Sequence, residues 1–150
     1  MTATVVRTTT LGYDEIDVDD ALPRLEIPVT TTLIVAGAIA SRDYMPVHHD
    51  RDFANSQGSK DIFLNILTTN GLCVKFLHDW VGPDALITKL SIRLGVPAYP
   101  NDPLVFEGRV TRKTIENEAC LVEVTFTGRN SLGDHAKGTA TISVPKGAGK

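Results

Sequence analysis

The chain has 150 residues, 42% of them apolar, which is enough for a single domain with a sequestered core. Fifteen Lys and Arg against 18 Asp and Glu give a formal charge of −3 with no basic stripe, so a nucleic-acid partner is not expected. No window approaches the roughly 18 apolar residues of a membrane span, and the first residues lack a basic stretch followed by an apolar one, so no membrane partner and a cytoplasmic setting are expected.

Residues 1–22 are polar and acidic, closing with the run DEIDVDD, and are expected to form a loosely held arm. A packed domain is expected over 23–145 and a frayed tail over 146–150. Arg24 to Val29 alternate between charged and apolar residues and predict a strand. The threonines of TTTLIVAGAIA then predict a capped short helix ending close to Asp43.

The loop RDYMPVHHD follows, in which Pro46 prevents a regular helix. From Ser59 to Trp80 the spacing predicts a long helix of roughly 30 Å, with Ser59 as its cap and Asp61 in its first turn. Its apolar residues nearly surround it, which places it inside something. Gly71 within this helix is read as a point of close packing. Beyond Pro83 come four strand patterns, ALITKLSIRLGV, LVFEGRVTRKTI, ACLVEVTFTGRN and GTATISV, separated by turn signals at PAYPNDP, ENE and NSLGD. The sum is an α+β domain in which a curved antiparallel sheet wraps one long central helix. Cys73 and Cys120 each sit in an apolar pattern and are read as buried thiols.

Two side chains in the polar loop suit acid–base chemistry. Asp43 and His48 are five residues apart, and the loop can turn both toward one point, where a water molecule would lose a proton to one of them. Which is base and which is acid stays open. Adding water to a double bond conjugated with a thioester also needs a donor to the developing enolate oxygen. The backbone N–H of Gly58, in Gln57-Gly58-Ser59 at the expected start of the long helix, is the candidate donor.

RDYMPVHHD resembles the hydratase motif of MaoC-like hotdog proteins, with Asp43, Pro46 and His48 on the motif's Asp, Pro and His. That resemblance runs from about Leu22 to Val144 and implies a hotdog fold, hydration of an enoyl-CoA, and Gly58 as donor to the thioester carbonyl. The family usually has Gly before the Asp and Asn two residues after it, where this chain has Arg42 and Met45. VHHDRDFANSQGSKDIFLNIL, LGVPAY and GRNSLGDH more closely resemble the small subunit of heteromeric hydratases acting on steroid side-chain enoyl-CoAs in cholesterol-degrading actinobacteria. The resemblance implies a larger MaoC-like hotdog subunit as partner in a heterotetramer. That subunit would carry a zinc-ribbon and OB-fold module that engages an aldolase. No metal or redox cofactor is implied, the CoA thioester being substrate.

Rival readings are a non-catalytic subunit that completes a partner's acyl-CoA cavity, a thioesterase on the same fold, and a metal site. The last would join His48-His49-Asp50 to a distant His78 or His135. His49 is read as structural, and Arg93 and Arg129, which could form salt bridges, meet CoA phosphates or simply be solvated, are assigned to no site.

Overall fold

The computed structural model describes residues 6–147. In chain order it holds β1 (Leu25–Ile27), α1 (Thr31–Ala40), α2 (Arg51–Ser56), α3 (Ile66–Val81), β2 (Leu86–Leu94), β3 (Leu104–Glu116), β4 (Ala119–Asn130) and β5 (Gly133–Val144). The five strands form one antiparallel sheet in the order β1-β3-β4-β5-β2.

β3, β4 and β5 form a meander joined by tight turns. Asn117 and Glu118 both adopt positive φ, 49° and 68°, as a two-residue hairpin turn between Glu116 and Ala119 requires. β2 breaks the chain order. It pairs with β5 instead of its sequence neighbour β3, because the connection 95–103 is long enough to cross from one side of the sheet to the other. Val96 and Pro97 are carried by that crossing to the wall of a cleft beside His48.

The sheet curves around α3, whose inward residues Thr69, Cys73, Phe76, Leu77 and Trp80 recur at helical spacing and are buried. Phe76 stacks on Phe106 of β3 at 5.6 Å between ring centroids and tilts against Phe126 of β4 at 6.1 Å. Close approach is possible because the sheet supplies glycines. A methyl group on Gly108 would lie 3.2 Å from the Phe76 ring, and one on Gly138 would lie 2.2 Å from Phe126. Gly71, by contrast, faces open space, so the close-packing reading of it fails.

α1 begins as expected, with Thr30 accepting the Leu33 N–H at 3.0 Å. The long helix does not. α3 starts at Ile66, seven residues after Ser59, with Asn65 as its cap, and its 16 residues make roughly 24 Å. Ser59 donates to the Asp61 carbonyl instead, and Asp61 accepts the Ile62 N–H. Between them Ile62 and Leu64 are buried at alternate positions, with the Leu64 N–H donated to the Ala98 carbonyl at 3.0 Å. A short extended run therefore carries apolar residues that read as a helix face.

The arm expectation also fails over the described part of residues 1–22. Leu11, Ile16 and Leu22 are buried in the core, and the N–H groups of Leu11, Asp19 and Leu22 bond to the carbonyls of Val81, Val110 and Gly108 at 2.8–2.9 Å. Three apolar anchors among the carboxylates outweigh the acidic composition. Residues 1–5 and 148–150 lie outside the described residues, and so does most of the expected tail. No helix among the described residues is long and apolar enough to cross a membrane.

Candidate active site

α1 ends where the site begins. Ser41 turns its hydroxyl back to the Gly37 carbonyl at 2.7 Å, and Arg42 takes a left-handed φ of 56°. This reverses the chain so that the Asp43 N–H reaches the Ala38 carbonyl at 2.9 Å. Met45 is extended, and Pro46 opens a single 3-10 turn, Pro46–His48, whose last residue is the buried His48. The proline supplies the fixed φ for a turn start and has no N–H to leave unpaired.

These bends bring His48 Nε2 to 3.3 Å from Asp43 Oδ2. On the far side of the ring, Nδ1 lies 2.7 Å from the Phe63 carbonyl oxygen. A carbonyl only accepts, so Nδ1 carries a proton and, in the neutral ring, Nε2 presents its lone pair to the gap beside Asp43. The Phe63 ring meets the imidazole edge-on at 5.0 Å and fixes its plane. Asp43 accepts from the Asn65 side-chain amide at 3.0 Å and from the Met45 N–H at 3.3 Å. The Asn65 amide, opposed by partial burial and aided by the Met45 N–H and by the charge of the His48 ring when that ring is protonated, holds the Asp43 carboxyl below its ordinary range.

The pair opens into a cleft of about 350 Å³ between the start of α3 and the end of β2, with Phe63, Leu64, Ile66, Leu94 and Val96 as apolar walls and His135 at its side. A larger concavity of about 400 Å³ lies along β3 and β4 beside Arg24, Glu107 and Arg109, and holds no such acid–base pair. Chemistry places the site in the smaller one.

Gly58 is not where the sequence reading puts it. It ends α2, with φ of 83° and its N–H donated to the Asn55 carbonyl at 3.0 Å, and it is absent from the cleft lining. The misplacement follows from the later start of α3. The helix start facing the cleft is Ile66, and the first-turn N–H groups of a helix have no partner within it. The Thr68 N–H is satisfied by Asn65 Oδ1 at 3.1 Å.

The residues of the metal reading do not converge. Asp50 caps α2 through the Phe53 N–H at 3.0 Å, His49 is exposed, and His78 Nδ1 is 3.3 Å from the Gly82 carbonyl. No group of three or more potential ligands converges among the described residues. His135 is buried between the Val96 carbonyl, 2.7 Å from Nδ1, and the Thr69 hydroxyl, 2.9 Å from Nε2. Its burial favours the neutral ring. Sequence reasoning gives His135 a part only as a distant ligand in the metal reading, and it overlooks Asn65. An Asn directly before ILTT is a helix-start signal that the apolar run Ile62–Leu64 conceals.

The fold is the hotdog fold. It is shared, at a TM-score of 0.84 and 21% identity, with R-hydratase PhaJ1 from Pseudomonas aeruginosa, over 94% of this chain and 90% of that one. Over residues 18–130 the chain matches the family described as MaoC like domain, and it belongs to that family. It is 49% identical over 123 residues to the 3-oxo-4,17-pregnadiene-20-carboxyl-CoA hydratase beta subunit of Mycobacterium tuberculosis (strain ATCC 25618 / H37Rv), covering 82% of this chain and 92% of that one. It also superposes, with 47% identity and a TM-score of 0.80, on a chain of the ChsH1-ChsH2 complex from Mycobacterium tuberculosis, over 85% of this chain and 98% of that one.

Proposed function

We propose that the chain is the catalytic small subunit of an enoyl-CoA hydratase that adds water across the α,β double bond of a bulky, steroid side-chain acyl-CoA. The observation that carries this reading is the 3.3 Å approach of Asp43 Oδ2 to His48 Nε2 at the edge of an apolar cleft. With Asp43 ionised and the ring neutral, both atoms accept. A water molecule there donates one hydrogen to each and aims an oxygen lone pair into the cleft.

In the step proposed, that oxygen bonds to the β-carbon as one of the two acceptors takes its proton. The double-bond electrons move to the thioester oxygen as an enolate, and a proton returned to the α-carbon restores the thioester. The first-turn N–H groups of α3, at Ile66 and Leu67, support the enolate oxygen in place of Gly58. The chemistry needs neither metal nor redox cofactor. The 49% identity to a protein named as a steroid-type carboxyl-CoA hydratase supports the substrate class.

A partner subunit goes with this reading. The relative is named a beta subunit and the related structure is of a complex. On this chain β2 pairs only with β5, Ile66 and Leu94 of the cleft lining are exposed, and so are their chain neighbours Leu67 and, next to Asp43, Tyr44 and Met45. Such an apolar rim fits a second hotdog subunit that closes over the acyl group. A larger partner with a zinc-ribbon and OB-fold module, and an aldolase contact through it, are finer expectations resting on the resemblance alone. Co-purification with mass measurement of the complex tests them.

The catalytic assignment is tested by Asp43→Asn and His48→Ala in the assembled complex, assayed on an enoyl-CoA. Each loses roughly 10²–10⁴ in kcat. Near-full activity in both would favour the non-catalytic subunit, and release of free CoA from a saturated acyl-CoA would favour the thioesterase.

A further inference from the structure

We infer that Asn65 is a positioning residue for this hydration, one amide that holds the Asp43 carboxylate and the start of α3 in fixed relation to each other. The inference rests on the function proposed above and extends it to the distance between the attacking water and the thioester oxygen.

Asn65 is 1% exposed, and its side chain leaves no hydrogen-bonding atom idle. Oδ1 accepts the Thr68 N–H at 3.1 Å, capping α3, while Nδ2 donates to Asp43 Oδ2 at 3.0 Å and to Ser41 Oγ at 2.8 Å. The Ser41 hydroxyl hydrogen is committed to the Gly37 carbonyl, so toward Asn65 that oxygen can only accept. The amide orientation is therefore determined. Flipped, it would set Oδ1 against a carboxylate and Nδ2 against an N–H. The Asn65 carbonyl in turn accepts the Thr69 N–H at 3.1 Å, which fixes the residue from its backbone side.

No other residue does both jobs. Serine caps a helix well but is too short to reach Asp43. Aspartate caps equally well and matches the shape, yet turns a second carboxylate toward the first. Because Asp43 Oδ2 is the same oxygen that faces His48, a shift of the amide moves the water-binding gap. Because the amide also sets the first turn of α3, it fixes where the enolate donors stand. The other titratable groups near Asp43 are His48 across the gap, His135 in the lining of the same cleft, and Tyr44, its exposed neighbour in the chain. Arg42, next in the chain, is exposed.

The test compares Asn65→Ser and Asn65→Asp with wild type in the assembled complex, using an enoyl-CoA for kinetics and carbon NMR of the Asp43 carboxyl for its titration. Asn65→Ser is expected to lower kcat by roughly 10- to 100-fold, the effect of removing one hydrogen bond to a charged group, with KM nearly unchanged. Asp43 then titrates at higher pH than in wild type. Asn65→Asp keeps the helix cap but sets a second carboxylate against the first, so it is expected to lower kcat further, to raise the Asp43 titration further and to lower the thermal midpoint. It carries the test if the serine variant fails to fold. Wild-type kcat and an unmoved Asp43 titration in the variants would overturn the inference while leaving hydration standing, provided Asp43→Asn is inactive. If wild type itself hydrates no enoyl-CoA, the function falls, and the Asp43 titration still reports whether Asn65 holds the carboxylate.

Discussion

The backbone carbonyl of Phe63 stands 2.7 Å from Nδ1 of His48, and so decides which ring nitrogen faces Asp43. Free imidazole in water has no such constraint. At a pH where the ring is neutral, nitrogen NMR is expected to show His48 protonated at Nδ1. An Nε2-protonated ring would put a donor against the carboxylate and rule out the two-acceptor water site proposed above.

Asp43 links the site to acid stability. Its folded-state pKa is depressed, chiefly by the Asn65 amide, so its contribution to stability is fully present above the unfolded value of about 3.9 and is lost as pH falls through the folded value. Thermal midpoints measured from pH 5 downward should fall below about pH 4, and less steeply in Asp43→Asn than in wild type. Asp134, which Arg129 and Lys137 also hold below its ordinary range, contributes in the same direction and is unaffected by that substitution. An identical slope in the two proteins would show that the Asp43 contacts do not persist in solution.

Cys73 lies in the inward face of α3 at 0% exposure, and burial pushes its thiol up to about 12. It is expected to resist alkylation in the folded protein at neutral pH and to react only on unfolding, since the thiolate is the nucleophile. Modification in the native state at the rate of a free thiol would mean that α3 detaches readily from the sheet.

At the α1–α3 contact, the Thr68 hydroxyl is buried without a hydrogen-bond partner, and a methyl group on Gly37 would fall 2.2 Å from it. Thr68→Val removes an unsatisfied polar atom at constant shape and should raise stability by about 1 kcal/mol in denaturant titration. Gly37→Ala overpacks the same contact and should cost about 1–3 kcal/mol. A destabilised Thr68→Val together with a stabilised Gly37→Ala would show that the helices are not packed this closely.

The amino-acid sequence makes much of this legible by itself. Turn residues and alternating apolar positions mark β2 to β5. Asp43 and His48 stand out by their spacing around Pro46, because a proline turn acts over a few residues that the sequence displays side by side. What escapes depends on contacts between distant segments. That β2 lies beyond β5 is decided by the crossing 95–103, whose path no local pattern states. Ile62 and Leu64 are buried as an extended pair against Ala98, so their apolarity passes for a helix face and carries the expected donor to Gly58. Leu11, Ile16 and Leu22 anchor a segment whose carboxylates suggest that it hangs free.

The paired Asp43 and His48, their carbonyl and amide supports and the helix start all fall within residues 41–69, whereas Leu94 and His135 approach from the sheet and Val96 from the crossing 95–103. On the function proposed above, the groups that handle water come from one continuous stretch, whereas the wall that meets the acyl chain is divided between that stretch, through Phe63, Leu64 and Ile66, and residues that arrive from much later in the chain. On that proposal, changes at Leu94 or His135 are expected to alter which acyl chain fits while the contacts that hold Asp43 and His48 stay in place.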